Sequence, residues 1–337
     1  MKKLIAIILL LSVCSSSLAA EQVKLQPNYP SQYTVKTGDT LWDIAHIFLQ
    51  DPWQWPQIWQ INPKVKNPHL IYPGDVLALK MINAKPQLQV IDKGTIKLSP
   101  KVRSTANRGA ISTIKLSSIK AHLTKSRLIE EATYNNSPYV VANGNDRLVS
   151  GNHDLIYVRG LSASNNTNYT IIRKEDEYKD PKTKKVLGYE ARYISRVKLV
   201  HAGDPSIFET NQSETSIKKG DRLTPTINLY DKDFYPHAPT KPVSAQIIET
   251  VGGINRIGLY DIVVLNLGSD QGVNNGTVLR VFRDLDDVND KISGEMVKLP
   301  NLPVGLVMVF QTYNKLSYAL VMDAKRTIQI GDQVTNP

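Results

Sequence analysis

The stretch from residue 32 to residue 80 constrains the fold most, because signals for strands, turns and helices follow one another closely within it. Tyr33-Thr34-Val35 predicts a short strand, and Lys36-Thr37-Gly38-Asp39 predicts a turn in which glycine can take a positive φ. Thr40 and Asp43 have the spacing of a capping box, which marks the start of a helix. Apolar residues then recur at helical spacing and give this helix a core face: Leu41, Ile44, Ala45 and Phe48.

Prolines and turn residues divide the rest of this stretch. Asp51-Pro52 ends the first helix, and Pro56 suits the first turn of a second helix. Asn62-Pro63 ends the second helix. Tyr72-Pro73-Gly74-Asp75 predicts a turn into a last strand, Val76 to Leu79. The predicted order is therefore strand, helix, helix, strand.

This pattern resembles the LysM (lysin motif) domain family. The resemblance implies a small α+β module with the order βααβ at residues 32–80, which binds polysaccharide that contains N-acetylglucosamine, in bacteria chiefly peptidoglycan. Two features depart from the family pattern, since Asp75 stands where Gln is commoner and residues 51–56 lengthen the link between the helices. The residues that carry the resemblance are Tyr33 to Ala45, Ile58, Asn62 and Ile71 to Leu77.

The resemblance also implies where the glycan binds. The groove lies between the turn before the first helix and the loop before the last strand. Glycine and proline in these two segments allow a sugar to approach the backbone closely, and apolar side chains can contact acetyl methyls and pyranose faces. The residues assigned to carbohydrate binding are Gly38, Asp39, Thr40, Leu41, Asn62, Leu70, Ile71, Tyr72 and Pro73.

All four tryptophans of the chain lie in this stretch, and two interpretations of them are open. Their rings suit platforms for stacking sugars. A domain this small also needs bulky residues to fill its core, or to dock a partner. The four are Trp42, Trp53, Trp55 and Trp59.

Residues 1–20 predict a secretory signal peptide. Lys2 and Lys3 precede an apolar run, Leu4 to Val13, and small residues lead to Ala19-Ala20. The apolar run is too short to span a bilayer as a helix. The alternative is a lipid anchor on Cys14, because the residues before it resemble a lipoprotein box, although Val13 departs from the small residue expected there. We therefore expect a periplasmic or secreted protein associated with the cell wall.

The only cysteine of the chain, Cys14, lies inside the predicted signal peptide. Cleavage after Ala19 or Ala20 would leave a mature chain without cysteine. Disulfides, zinc–thiolate sites and cysteine nucleophiles are then excluded, and with them the wall enzymes that use a thiol.

A basic segment follows the LysM-like stretch. Between Lys80 and Glu130 there are eleven Lys or Arg residues and two acidic residues, and this difference accounts for nearly all of the chain's formal net charge of +10. No Trp, Phe or Tyr precedes Tyr134 in the segment, so it lacks the stacking residues of single-strand nucleic-acid binders. We predict no nucleic-acid partner. The segment is either a solvated connector or a site of electrostatic attachment to anionic envelope material.

The rest of the chain contains a faint internal repeat. Gly151 to Val158 parallels Gly258 to Leu265 107 positions later, and Thr215 to Leu223 parallels Arg326 to Val334 111 positions later. A tandem duplication explains both offsets. Each copy is rich in β-branched residues broken by Gly, Asn and Asp, which is typical of short strands. The clearest strand candidates are Thr170 to Lys174, Tyr193 to Val200, Thr277 to Phe282 and Gly305 to Phe310.

These patterns predict a multidomain protein in which two tandem, mainly-β units (small barrels or sandwiches) follow the LysM module and the basic connector. Pro236, Pro239 and Pro242 form a stiff spacer between the two units. The layout resembles uncharacterised periplasmic LysM-containing proteins of Gram-negative bacteria. The predicted segments are the signal peptide at 1–20, the LysM module at 32–80, the connector at 81–138, and the β units at 139–239 and 240–337.

No catalytic motif emerges from the sequence. The six histidines are scattered singly, without metal-ligand spacing. The nearest approaches to a catalytic group are His201 with Asp204, and the acidic run Glu175-Asp176-Glu177.

We therefore expect a non-enzymatic, cofactor-free protein that the LysM module tethers to the wall, while the β units meet other envelope proteins. Two alternatives stay open: a wall hydrolase targeted by its LysM module, and an envelope scaffold whose LysM module docks protein.

Overall fold

The structure is a computed structural model of the 337-residue chain. It describes residues 23–59, 71–91, 111–114, 126–144, 149–151, 153–161, 166–226, 234–251 and 256–337. The chain divides into an N-terminal unit, Met1–Ile111, and a C-terminal unit, Ser112–Pro337. The predicted signal peptide and most of the predicted connector lie outside the described residues.

The N-terminal unit is a small α/β module built around a three-stranded antiparallel sheet in the order β1-β2-β3. The predicted succession of strand, helix, helix and strand is confirmed. Its elements are β1 (Gln32–Thr34), α1 (Leu41–Phe48), a 3-10 turn (Pro52–Gln54), α2 (Trp55–Trp59), β2 (Val76–Ile82) and β3 (Lys85–Ile91).

Strand β3 extends the sheet into the segment predicted as connector. A two-residue turn joins it to β2, and both turn residues, Asn83 and Ala84, have positive φ values of 51° and 60°. Such turns favour Asn and Gly at these positions. Because Ala84 stands where Gly is favoured, the sequence pattern does not predict this hairpin. The sheet of this module therefore continues past residue 80.

Helix α1 begins with the predicted capping box. The Thr40 hydroxyl accepts a hydrogen bond from the Asp43 backbone N–H at 3.2 Å, and the Asp43 carboxylate accepts one from the Thr40 N–H at 3.1 Å. The apolar face of the helix is buried as predicted: Leu41, Ile44, Ala45 and Phe48. All four tryptophans are at most 5% exposed, so the core interpretation is correct and the rings are not exposed stacking platforms.

We expect Thr40→Ala to destabilise the N-terminal unit by about 1 kcal/mol, because an N-cap hydroxyl satisfies a helix N–H that alanine leaves open. Tryptophan fluorescence during urea unfolding measures this change, because all four tryptophans lie in this unit. The exposed Thr37, three residues earlier, provides the control. Equal loss of stability in Thr40→Ala and Thr37→Ala would show that the cap contributes nothing particular.

The C-terminal unit is mostly β-structure. Besides the short helix α3 (Glu131–Asn136), it contains the strands β4 (Ser126–Ile129), β5 (Tyr139–Asn143), β6 (Leu155–Arg159), β7 (Asn168–Lys179), β8 (Val186–His201), β9 (Ser206–Ser213), β10 (Arg222–Pro225), β11 (Ser244–Thr250), β12 (Ile262–Leu265), β13 (Val278–Arg283), β14 (Val288–Asn289), β15 (Met296–Val297), β16 (Leu302–Thr312), β17 (Ser317–Ala324) and β18 (Gln333–Thr335). The four strand candidates from the sequence fall on β7, β8, β13 and β16 and are confirmed.

Two rings of six strands organise this unit. The second ring is a closed antiparallel barrel in the order β11-β12-β17-β16-β13-β18. The first ring follows the order β5-β6-β9-β8-β7-β10, because β8 pairs with β9 and β10 pairs with β5, and β4 adds to the outer side of β8. Read along the chain, the two rings have the same connectivity. The segment boundaries at 81, 139 and 240 stay predictions.

Both rings contain the same ion pair. Arg173 forms a bidentate pair with Asp221 at 2.8 Å, and Arg283 forms one with Asp332 at 2.8 and 3.0 Å. Each guanidinium also donates to a backbone carbonyl, and each aspartate accepts a backbone N–H from the turn before the last strand. Because the arginines are 110 positions apart and the aspartates 111, this equivalence supports the tandem duplication predicted from the sequence.

Candidate functional site

The two sides of the predicted glycan groove are joined by backbone hydrogen bonds. The N–H of Val35 donates to the carbonyl of Asp75 at 2.9 Å, and the N–H of Gly74 donates to the carbonyl of Val35 at 2.8 Å. These bonds hold the turn at residues 36–39 beside the loop at residues 72–75. Residues about forty positions apart in the sequence therefore form one surface.

The first side is the turn before α1, which Asp39 holds closed. Its carboxylate accepts the backbone N–H of Lys36 at 2.8 Å and the hydroxyl of Tyr33 at 2.9 Å. Burial and the bond to Asp39 raise the pKa of Tyr33 to about 12, so this hydroxyl stays protonated at neutral pH. Asp39 is thus engaged in positioning the turn. Gly38 has φ +98° and open space where a side chain would stand.

The second side is the loop before β2, which Asp75 holds in the same way. Its carboxylate accepts the backbone N–H of Tyr72 at 2.9 Å. Gly74 has φ +101° and, like Gly38, open space beside it. Tyr72 is 42% exposed, so its ring is available at the surface of this loop. Asp75, the departure from the family pattern, therefore has a structural role in closing the loop.

The residues assigned to carbohydrate binding separate into three groups in the structure. Gly38, Asp39, Tyr72 and Pro73 are exposed or half-buried. Thr40, Leu41 and Ile71 are buried, so their side chains belong to the helix cap and the core. Asn62 and Leu70 lie outside the described residues. The assignment of these nine residues to glycan binding stays a prediction.

Sequence reasoning missed the bond between Tyr33 and Asp39. The two residues flank the turn, six positions apart, and an aromatic residue with a polar tip beside an acid was the available signal. The sequence pattern assigns Tyr33 only to the start of a strand.

Three of the four acidic residues in the sequence patterns nearest to a catalytic group form ion pairs: Asp204, Glu175 and Glu177. Arg159 binds Asp204 through two bonds of 2.9 and 3.1 Å. In the acidic run, Glu175 pairs with Arg192 at 2.8 Å, and Glu177 pairs with the neighbouring lysine at 2.9 Å. Among the described residues, no group of three or more His, Cys, Asp or Glu side chains is placed to hold a metal ion.

The helices among the described residues are short, and the longest of them is α1 with eight residues. Within the described part of the chain, no helix combines the length and the apolar character needed to cross a membrane.

Comparison with known proteins defines the class of the N-terminal module. Residues 33–80 match the model of the LysM domain, which confirms the resemblance. The chain is also similar to the Bacillus subtilis (strain 168) protein named "Uncharacterized protein YqbP", with 42% identity over 60 residues. That similarity covers 15% of this chain and 27% of the relative's own length. Residues 33–80 are therefore a LysM domain, a type of domain that binds N-acetylglucosamine-containing glycans such as peptidoglycan and is typical of extracellular and cell-wall proteins.

Proposed function

We propose that this chain is an exported, non-enzymatic protein that its LysM domain attaches to peptidoglycan in the periplasm or at the cell wall. The observation that carries the proposal is the surface formed by the turn at 36–39 and the loop at 72–75. Two glycines with open space and one exposed tyrosine lie on it.

This surface suits an amino sugar for three physical reasons. Gly38 and Gly74 carry no side chain and have open space beside them, so a sugar can approach the backbone of both turns closely. The ring of Tyr72 offers an apolar face for a pyranose ring and a hydroxyl at its edge. Asp39 and Asp75 fix both turns before a ligand arrives, which lowers the entropy lost on binding.

The two six-stranded rings are the two tandem β units of this proposal. We assign them to binding proteins of the envelope and not to catalysis. Three of the four carboxylates closest to a catalytic arrangement in the sequence are held in ion pairs, which supports this assignment: Asp204, Glu175 and Glu177.

Binding to isolated sacculi and to chitooligosaccharide tests the proposal. We expect the full mature chain to sediment with sacculi and to bind chitohexaose by calorimetry. Cellohexaose is the matched control, because it has the same backbone linkage without acetamido groups, and we expect it not to bind. Release of reducing sugar or muropeptides from sacculi would contradict the non-enzymatic assignment. A folded chain that binds neither sacculi nor chitohexaose would contradict the glycan-binding assignment.

A further inference from the structure

The hairpin formed by β14 and β15 exposes an unusual amount of apolar surface. Its tip residue Ile292 is 98% exposed and Met296 is 64% exposed, and Val288 and Val297 are also exposed. Val288 and Val297 face each other across the hairpin. Clusters of exposed apolar side chains mark interaction surfaces. We call residues 288–297 the free hairpin.

The first ring contains an equivalent hairpin, residues 178–188, between β7 and β8. In both hairpins an aspartate opens the turn: the carbonyl of Asp180 accepts the N–H of Lys184 at 2.9 Å, and that of Asp290 accepts the N–H of Gly294 at 2.7 Å. Both aspartate carboxylates also bond the N–H two positions on. The two turns are 110 positions apart, as the duplication requires.

The hairpin at 178–188, which we call the docked hairpin, contacts the second ring. Asn266 donates to the Asp180 carboxylate at 2.9 Å, and the buried side chain of Tyr178 lies next to that of Tyr318. A side chain on Gly188 would come within 3.0 Å of Leu316. The backbone N–H of Thr183 in the turn, followed by the bond from Asn266, lowers the pKa of Asp180 to about 2. The ends of β12 and β17 thus receive this hairpin.

The first ring has a surface equivalent to the one that receives the docked hairpin in the second ring, and this surface is exposed. By the offsets of the repeat, Arg159 is equivalent to Asn266 of the second ring. Pro205 and Ile207 are equivalent to Leu316 and Tyr318, which lie beside the docked hairpin at the start of β17. Arg159 and Pro205 are exposed, Ile207 is half-buried, and Val200 beside them is 58% exposed. We call this surface, Arg159 with Val200, Pro205 and Ile207, the acceptor face.

Charge favours a contact between the free hairpin and the acceptor face. In the docked hairpin, the aspartate of the turn, Asp180, accepts a hydrogen bond from Asn266. In the free hairpin the equivalent aspartate is Asp290, and the acceptor face has the cation of Arg159 at the position of Asn266. Arg159 now pairs with Asp204, but both side chains of that pair are more than half exposed, and such pairs contribute little to stability. An exchange of carboxylate partners therefore carries a small penalty.

We propose that chains associate head to tail, with the free hairpin of one copy bound to the acceptor face of the next. The contact repeats between chains the arrangement that the docked hairpin makes within one chain. Because the two surfaces are different, the association is heterologous and leaves one unused hairpin and one unused face at the ends of an open assembly.

Two variants that block opposite surfaces test this directly. Ile292→Asp with Met296→Asp blocks the free hairpin, and Arg159→Glu with Val200→Asp blocks the acceptor face. Sedimentation velocity of the wild-type chain should show mass rising with concentration beyond a dimer. Each variant alone should be monomeric at the same concentrations, its association weakened roughly tenfold or more. Their equimolar mixture should form a dimer and nothing larger.

The mixture separates this contact from others. If the chains associated hairpin to hairpin, the mixture would form no dimer, because one of the two variants has a blocked hairpin. A mixture that stays monomeric would therefore overturn the proposal. A wild-type chain that stays monomeric over the whole concentration range would overturn it as well. Far-UV circular dichroism checks that both variants fold. Tyr72→Ala is the matched control on the glycan surface and should associate as the wild type does, which keeps this test independent of glycan binding.

Discussion

Replacing Tyr72 by alanine is expected to lower the affinity for chitohexaose by roughly tenfold or more, with the fold intact. The ring is 42% exposed and lies on the loop that faces the turn at 36–39. It is the large apolar group that this surface offers to a pyranose face. Its backbone N–H, which Asp75 binds, is unchanged by the substitution, so the loop keeps its geometry.

Calorimetry is the suitable measurement for this variant. The four tryptophans are buried, so their emission reports on the fold of the module rather than on contact with a ligand. Tyr235→Ala is the matched control, since Tyr235 is 47% exposed and lies in the C-terminal unit. Unchanged affinity of a folded Tyr72→Ala chain would place the glycan on another surface of the LysM domain.

Replacing Asp332 by alanine is expected to destabilise the second ring by about 3 kcal/mol, because it leaves a partly buried guanidinium without its carboxylate. The Asp332 side chain is 5% exposed and that of Arg283 is 23% exposed. Asp332 also accepts the backbone N–H of Gln329, so the turn before β18 loses its acceptor too. The pair closes β18 against β13, where the barrel closes.

Asp204→Ala is the matched control for this change. Its pair with Arg159 has the same bidentate geometry, but it is exposed to solvent, so we expect a much smaller effect. Urea unfolding followed by far-UV circular dichroism measures the stability of the C-terminal unit, which contains both rings. An equal loss of stability in the two variants would show that burial of the pair does not matter.

The sequence predicted the elements of the LysM domain well because its signals are local. A cap acts over three residues, from Thr40 to Asp43, and the core face of α1 repeats within one or two turns. The surroundings of each side chain in the candidate site could not be predicted in this way. Ile71 is fully buried, because the loop before β2 turns that side chain into the core, and its assignment to glycan binding stays a prediction.

The fate of the tryptophans could not be read from their spacing. Clustering of four tryptophans within eighteen positions is compatible both with a platform for sugars and with a hydrophobic core. The tertiary structure shows that all four are buried in the core. The same holds for the hairpins of the two rings. Their sequences are related, but one is covered by the second ring and the other is exposed.

By itself the sequence determined the LysM domain, the mainly-β character of the rest and the duplicated spacing, since propensities, caps and periodicity act between neighbours along the chain. The tertiary structure decided which residues form a surface together. Val35 meets Asp75, and Tyr139 meets Arg222 where the first ring closes. Contacts of this kind join residues that are far apart in the sequence, and they determine which side chains are buried. No local sequence pattern therefore determines which side chains remain exposed to a ligand or to a second chain.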